Sequence, residues 1–171
     1  MTPVKKQQHK FLEKVNQSQN ILYHICSVYT QNREDWKDLW QEILLQLWRS
    51  FPSFQEKSSF STWMYRVALN TALMHQRKKK RSWFHTHTET QFLADDETAN
   101  FQRDEEVQLL YECIQQLSPL DRAIILLKLE QKSYREVAEI TGFTESNVSV
   151  RINRIKDRLR HLLIQKGVKG A

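Results

Sequence analysis

Turn-forming residues are scarce in this sequence, which has only three Gly and three Pro among 171 residues. Sandwiches, barrels and doubly wound α/β folds need many tight connections, and those connections usually use Gly and Pro. The chain is nevertheless 40% hydrophobic and contains 5 Trp, 5 Tyr and 8 Phe, so it can build packed cores. The sequence therefore predicts an all-α protein.

Charge is distributed unevenly around a formal net charge of +6. The segment 89–112 carries eight acidic residues and one basic residue, whereas residues 77–81 are five consecutive bases. Residues 151–171 contain seven bases and one acid. Two basic regions on either side of an acidic one predict two contacts with a polyanion. Solvated helix faces are the alternative interpretation of each basic run.

Apolar residues at helical spacing predict four helices in the first half of the chain, the third from about Glu34 to Ser50. The fourth begins near Ser61 and runs into the basic cluster. We predict a helical domain over residues 1–82, a polar and acidic linker over 83–104, a second helical domain over 105–166 and a tail over 167–171. The fold class is thus two small helical domains joined by a flexible linker.

The second domain contains the pattern of a helix-turn-helix. Ser133 and Glu136 form a capping box that starts one helix, and Gly142 can take the left-handed conformation that ends it. Ala138, Gly142 and Val148 have the spacing of the small residue, the turn and the apolar anchor of this motif. Short helical hairpins that bind no DNA also use Ala and Gly.

The helix after the turn has a polar outer surface. Val148, Ile152 and Ile155 lie on one inward stripe, while short polar and guanidinium groups point elsewhere and can reach base edges and phosphates. A merely solvated helix more commonly carries Glu and Lys. The candidate DNA-binding residues of this helix are Ser146, Asn147, Ser149, Arg151, Asn153 and Arg154.

The chain resembles bacterial RNA polymerase sigma factors of the extracytoplasmic-function (ECF) type. The stretch 117–163 resembles the fourth sigma domain, and two stretches of the N-terminal half resemble the second. The matching motifs are Asp38-Leu39-Trp40-Gln41-Glu42, Phe60-Ser61-Thr62-Trp63-Met64-Tyr65-Arg66-Val67-Ala68-Leu69-Asn70-Thr71-Ala72, Ser133-Tyr134-Arg135-Glu136-Val137-Ala138 and Asn147-Val148-Ser149-Val150-Arg151-Ile152. The intervening acidic linker is too short for a third sigma domain. The resemblance implies promoter-specific initiation, with the helix-turn-helix on the minus-thirty-five element.

The resemblance implies that the third helix binds the coiled coil of the polymerase β′ subunit and that the fourth sigma domain meets the β flap. The inward stripe of this helix centres on Leu39, Ile43 and Leu47, which leaves a polar face on the other side. An outward Leu among polar groups is typical of a partner surface, although a solvated amphipathic helix is the alternative. The candidate polymerase-binding residues are Asp38, Gln41, Glu42 and Leu45.

For the minus-ten element, the resemblance implies a pocket that holds an unstacked base between the loop at 53–60 and Asn70 on the next helix. The basic run at 77–81 would hold backbone phosphates nearby. Trp63 shares the inward phase of that helix, so we predict a core position for it. The candidate minus-ten residues are Ser53, Phe54, Gln55, Phe60, Asn70, Arg77, Lys78 and Lys79.

Other function classes find little support in the sequence. Cys26 and Cys113 have no paired spacing, and His85 and His87 lack the helical spacing and partners of a metal site, so we expect no metal and no cofactor. Phosphate-binding glycine loops and nucleophile motifs are missing, which argues against an enzyme. No apolar run suits a signal peptide or a membrane span, so we expect a cytoplasmic protein without membrane insertion.

The expected partners are core RNA polymerase, promoter DNA and an anti-sigma factor, the first and last implied by the resemblance. The competing hypothesis is a helix-turn-helix regulator that binds DNA as a dimer without polymerase. That hypothesis accounts for residues 133–163 and leaves the N-terminal motifs unexplained.

Overall fold

The computed structural model describes residues 3–85 and 105–168, with side chains described for 5–81 and 105–168. Within these ranges every regular element is an α-helix or a 3-10 turn, and no strand occurs. The elements are α1 (Pro3–Asn16), α2 (Gln19–Tyr29), α3 (Arg33–Ser50), the 3-10 turn η1 (Phe51–Ser53), α4 (Phe60–His85), α5 (Glu105–Gln115), α6 (Pro119–Leu129), α7 (Tyr134–Thr141) and α8 (Glu145–Gln165). The all-α prediction is confirmed.

Helices α1 to α4 form the N-terminal set, with α3 lying along α4. Leu39, Ile43 and Leu47 are fully buried, so the inward stripe predicted for α3 is confirmed. Asn32 caps this helix, because its side-chain oxygen accepts a hydrogen bond of 2.9 Å from the backbone N–H of Asp35. The helix ends at η1, which contains Pro52.

Helix α4 is 26 residues long and ends at His85, three residues beyond the domain boundary predicted at residue 82. The rest of the predicted linker, residues 86–104, lies outside the described residues. On the core-facing side of α4, His75 is half-buried, whereas Met74 is 56% exposed. The inward stripe therefore ends on His75 and not on Met74.

Helices α5 to α8 form the C-terminal set. Ser118 caps α6 by accepting a 3.2 Å hydrogen bond from the N–H of Asp121, and Pro119 is the first helical residue. The predicted capping box at α7 is present: the Ser133 hydroxyl accepts from the Glu136 N–H at 3.2 Å, and the Glu136 carboxylate accepts from the Ser133 N–H at 2.8 Å. These caps fix where both helices begin.

The two sets pack against each other through α2 and α4 on one side and α5, α6 and α7 on the other. The Tyr29 hydroxyl donates a 2.6 Å hydrogen bond to the carbonyl oxygen of Pro119. The side-chain amide of Gln115 donates to the carbonyl oxygens of Ser27 and Thr30, at 2.9 and 3.1 Å. Further pairs across this contact are Arg66 with the carbonyl of Glu139 and His24 with the carboxylate of Glu130. The sequence alone contains no signal for this arrangement.

Among the helices of residues 3–85 and 105–168, none combines the length and apolar character that a membrane span requires.

Candidate functional site

The helix-turn-helix is formed by α7, a short turn and α8. Gly142 has φ +80°, and its N–H donates a 2.8 Å hydrogen bond to the carbonyl of Ala138, which closes α7. Thr144 then accepts from the N–H of Asn147 at 3.2 Å and starts α8. Val148 is fully buried against the α7 side of the motif, so the first turns of α8 present their polar residues outward.

Four exposed polar residues in the first half of α8 lie on one side of the helix and form one surface: Ser146, Asn147, Asn153 and Arg154. Two of the predicted DNA-binding residues are placed differently. Ser149 is half-buried, so it presents less of its side chain outward than predicted. Arg151 is also half-buried and lies at the edge of this surface.

Arg151 makes three contacts within the protein. Its guanidinium lies 3.1 Å from the Asp121 carboxylate and 4.9 Å from the centroid of the Phe143 ring, and its Nε donates to the Asn147 side chain at 3.2 Å. Asp121, whose N–H donates to the Ser118 cap, directs its carboxylate to Arg151. Because Nη1 donates to Asp121 and Nε donates to Asn147, Arg151 links α6 to α8 and positions Asn147.

A cleft of about 480 Å³ lies between the start of α6 and α8, beside this arginine. Three arginines and three apolar residues contribute to its lining, which includes Leu117, Val150, Ile155, Arg151, Arg154 and Arg158. The surrounding positive charge suits an anionic partner such as a DNA backbone.

On α3, the predicted polymerase-binding residues separate into two groups. Asp38 and Gln41 are exposed, and Leu45 is 45% exposed, as expected for an outward face. Glu42 instead lies against α4, where its carboxylate accepts hydrogen bonds from His75 Nδ1 at 2.9 Å and from Lys78 Nζ at 3.3 Å. The prediction that Glu42 lies on the outward face is therefore wrong, because its partners on α4 draw it into the helix interface.

These partners also set the ionisation of Glu42. Burial raises the pKa of this carboxyl, but hydrogen bonds and charges from His75 and Lys78 outweigh burial, so the pKa lies below its ordinary value. Glu42 thus carries its negative charge at neutral pH and stabilises the contact between α3 and α4.

The basic run at the end of α4 is exposed from Arg77 to Arg81. Lys78 pairs with Glu42 and Lys79 pairs with Asp35, both across the contact with α3. The ammonium-bearing side chains of these two lysines are still 68% and 55% exposed, so ion pairing does not remove them from the surface. Arg77 and its exposed neighbours extend the positive surface.

Aromatic residues surround the loop before α4. Phe54, Phe60 and Trp63 form a triangle with ring centroids 5.0 to 5.7 Å apart, and Ser53 and Gln55 are exposed beside it. Trp63 is half-buried, so it is less enclosed than the core position predicted for it.

Asn70 is exposed on α4, ten residues beyond Phe60. Ten residues correspond to about 15 Å along the axis of an α-helix. Phe60 and Asn70, two of the predicted minus-ten residues, therefore lie on one helix but are well separated along it.

Sequence reasoning assigned no function to α1, yet the structure places this helix beside the same loop. Lys10 pairs with Glu56 at 3.5 Å, and the Lys14 ammonium lies 5.2 Å from the centroid of the Phe60 ring. Lysines at positions 6, 10 and 14 are four residues apart, so they follow one side of a helix. That spacing is the signal that could have identified α1 from the sequence.

Within the part of the chain that the structure describes, His, Cys, Asp and Glu form no group of three that could hold a metal ion. Cys26 and Cys113 are free thiols and both are buried. Burial raises the pKa of the Cys26 thiol to about 12, which keeps it protonated and unreactive at neutral pH.

Comparison with known proteins places both helical sets in one family. Residues 15–82 match sigma-70 region 2, and residues 107–159 match sigma-70 region 4. The ECF RNA polymerase sigma factor SigW of Bacillus subtilis is 28% identical, over 91% of this chain and 90% of SigW. The chain belongs to the ECF sigma factors.

Other relatives of this ECF sigma factor differ in length. SigG of Mycobacterium tuberculosis is 29% identical over 82% of the chain but only 45% of SigG, so the chain spans about half the length of that relative. The ECF sigma-E factor of Haemophilus influenzae is 28% identical, over 86% of this chain and 84% of the relative.

Two solved structures share the fold of this ECF sigma factor. RpoE of Bartonella quintana, solved in complex with the anti-sigma factor NepR, has a TM-score of 0.70 at 21% identity, covering 90% of this chain and 96% of RpoE. CnrH, solved with the cytosolic domain of CnrY, has a TM-score of 0.65 at 20% identity, covering 92% of this chain and 90% of CnrH.

Proposed function

We propose that this ECF sigma factor binds core RNA polymerase and directs it to specific promoters, without enzymatic activity or cofactor of its own. One observation carries the proposal: a region 2 helical set and a region 4 helix-turn-helix occur in this order in one chain. A polymerase-independent regulator would need only the region 4 helix-turn-helix. As a partner of polymerase, the protein would act in the cytoplasm.

The minus-thirty-five element would be bound as duplex by α8. Asn147, Asn153 and Arg154 are exposed on one surface, where amide and guanidinium groups can pair with base edges in the major groove. Arg151 would act at the edge of this surface, where Asp121 and Phe143 hold its guanidinium. From there it orients Asn147 and offers positive charge to a phosphate.

The minus-ten element would be bound as a separated strand along α4. Phe54 and Phe60 offer aromatic faces at one end, and exposed Asn70 offers a polar group about 15 Å further along. Ser53 and Gln55 flank the aromatic faces, and Arg77, Lys78 and Lys79 supply cations beyond Asn70. Since this spacing exceeds one stacked nucleotide, the loop and Asn70 would contact different nucleotides.

Core polymerase would be bound through the outward face of α3, where Asp38, Gln41 and Leu45 contact the coiled coil of β′. Glu42 would support this face from behind, through its bonds to His75 and Lys78. We further propose that residues 105–166 meet the β flap and that an anti-sigma factor controls the protein, in keeping with the anti-sigma factor named for the structural neighbour RpoE.

Reconstitution tests the proposal. Core polymerase with the purified chain should form a stable complex by size exclusion and give run-off transcripts that core polymerase alone does not give. Promoters are found by sequencing the genomic DNA that the reconstituted holoenzyme binds. A chain that binds duplex DNA as a dimer and never associates with core polymerase would support the regulator hypothesis instead.

A further inference from the structure

A cleft of about 780 Å³ lies on the N-terminal set, between α1 and the loop that precedes α4. Its volume falls within the range of ligand-binding clefts. Helix α1 supplies one wall, and η1 with the following loop supplies the other. The lining residues are Lys6, Gln7, His9, Lys10, Glu13, Phe51, Pro52, Phe54 and Glu56. Most of α1 precedes residue 15, where the match to sigma-70 region 2 begins.

The two walls differ in chemistry. Phe51, Pro52 and Phe54 give the loop wall an apolar part beside Glu56. The α1 wall carries the ammonium groups of Lys6 and Lys10 together with the carboxylate of Glu13. An apolar face opposite cations suits a nucleotide, because a base can pack on the apolar side while its phosphates meet the ammonium groups.

Charge on α1 favours an anionic occupant. From residue 3 to 16 the helix has four lysines and one acid, Glu13. The bridge between Lys10 and Glu56 joins side chains that are 60% and 66% exposed, and pairs this exposed are weak. Lys10 can therefore exchange the Glu56 carboxylate for a phosphate.

The cleft is continuous with the aromatic triangle of the proposed minus-ten surface. Phe54 lines the cleft and also lies 5.0 Å from the Trp63 ring and 5.7 Å from the Phe60 ring. Lys14, on the same side of α1 as Lys6 and Lys10, lies over the Phe60 ring. A strand that stacks on this triangle has one end directed to the cleft.

We propose that this cleft binds a nucleotide of the separated DNA strand that adjoins the minus-ten element, with its base against Phe54 and Pro52 and its phosphates at Lys6 and Lys10. The inference rests on the proposed function and adds α1 to the DNA-binding surface. Single-stranded DNA is the occupant that fits both the cations and the continuity with the aromatic triangle.

Strand-length dependence of binding tests this inference. Holoenzyme reconstituted from core polymerase and the full chain is titrated with fluorescent single strands that carry the minus-ten element alone or with four further nucleotides at either end. The wild-type protein should bind one extended strand more tightly than the short one. The double variant Lys6→Gln, Lys10→Gln should lose this extra affinity, a loss of about fivefold. For that strand it should also reduce the slope of the log binding constant against log salt concentration by about 1.4.

The control is Lys5→Gln, which removes one positive charge, against two in the double variant, from an exposed position of α1 outside the cleft. It should retain the gain from the longer strand. The inference would be overturned if the double variant gained as much affinity from the longer strand as the wild type does. It would also be overturned if Lys5→Gln lost as much of that affinity as the double variant. Thermal unfolding of each variant should match the wild type, because the substituted lysines are exposed.

Photocross-linking identifies the occupant directly. p-Azidophenylalanine in place of Gln7, inside the cleft, should cross-link to a nucleotide that flanks the minus-ten element on the separated strand. Cross-links to a polymerase subunit alone, or to duplex DNA alone, would overturn the inference. Run-off transcription by the same preparations distinguishes failure of the inference from failure of the proposed function. Transcription without the expected cross-link would refute only the inference about the cleft. Loss of both transcription and polymerase binding would refute the proposed function and the inference together.

Discussion

The guanidinium of Arg151 lies 3.1 Å from the carboxylate of Asp121, thirty residues earlier in the chain. This pair joins the first turn of α6 to the polar side of α8. It converts a residue that sequence reasoning assigned to DNA into one that also holds the helix-turn-helix in position. Arg154, one turn further along α8, is exposed and differs in this respect.

Arg151 and Arg154 should therefore respond differently to substitution by Ala. Arg154→Ala should leave stability unchanged and weaken binding to minus-thirty-five duplex by about 1–3 kcal/mol for a base contact, or lower the salt slope by about one for a phosphate contact. Arg151→Ala should weaken binding and also lower the free energy of unfolding by about 1 kcal/mol, since a half-buried ion pair and a ring contact are lost.

Urea unfolding and fluorescence anisotropy with duplex DNA measure the two effects. Asp121→Asn is the control, because it removes the ion pair and leaves every arginine in place. It should reproduce most of the stability loss of Arg151→Ala. Unchanged stability in both variants would show that the Arg151 contact with Asp121 contributes nothing to the domain.

Charge reversal on the outward face of α3 should weaken polymerase binding without affecting the fold. Asp38→Lys with Gln41→Ala changes two exposed side chains, so the unfolding midpoint should stay the same. Peripheral charges act mainly on association rate, so surface plasmon resonance with immobilised core polymerase should show slower association. The control is Asp157→Lys with Gln17→Ala, two exposed positions elsewhere. Equal rates for both double variants would place the polymerase contact on another surface.

Glu42→Gln should lower stability in a pH-dependent way. The pKa of Glu42 is lower in the folded protein than its ordinary value of 4.5, so its contribution is fully present above that pH and is lost as the pH falls through the folded pKa. The difference in unfolding free energy between wild type and Glu42→Gln should thus be fully present above pH 4.5 and shrink as the pH falls below that value.

Urea titrations across that pH range give the difference directly. Glu34→Gln, at an exposed glutamate in the first turn of the same helix, is the control. A difference for Glu42→Gln that stays constant with pH would contradict the role of His75 and Lys78 in holding the charge.

Asn70→Ala should spare duplex binding and reduce strand opening. Asn70 is exposed on α4 and supports no packing, so the protein should remain folded. Its partner would be a base that is available only after the strands separate. Permanganate reactivity of thymines in the minus-ten element should fall, while closed-complex affinity stays at the wild-type level. Asn20→Ala, at an exposed asparagine of α2, is the control. Normal opening with reduced duplex affinity would reassign this surface to duplex DNA.

Gly142→Ala should destabilise the helix-turn-helix through the backbone alone. Gly142 has φ +80°, and a Cβ built there meets no atom within 4 Å, so the cost of about 1–2 kcal/mol comes from the left-handed conformation. Gly167→Ala is the comparison, since Gly167 has φ +87° and equally open surroundings beyond the end of α8. Thermal unfolding should show the larger loss at Gly142, because Gly142 joins two packed helices, whereas Gly167 follows α8.

Local signals in the sequence predicted most of the fold. The capping box at Ser133 and Glu136, the stop at Gly142 and the inward stripe at Leu39, Ile43 and Leu47 depend on residues close together in sequence, and all are present. Helix periodicity and capping are short-range effects, so a single sequence contains the information needed.

Long-range pairing was beyond the reach of the sequence. Glu42 was predicted outward from its phase on α3, but His75 and Lys78 on α4 determine where it lies. Arg151 was predicted on the outer surface of α8, but its guanidinium also pairs with Asp121 on α6. Polar residues at the flank of a helix can turn to solvent or to a neighbour, and only the packing of the helices decides between these two environments.

Several hydrogen bonds between the two helical sets use peptide groups as acceptors. Tyr29, Gln115 and Arg66 each donate from a side chain to a carbonyl oxygen of the other set. Every amino acid contributes the same carbonyl oxygen, so substitutions at the accepting positions leave the acceptor in place. For these three hydrogen bonds, only the donor side chains need to be retained. Evolution can therefore change one partner of each pair freely, and homologues that have lost sequence similarity at Pro119, Ser27 or Glu139 can still associate their two halves in the same way.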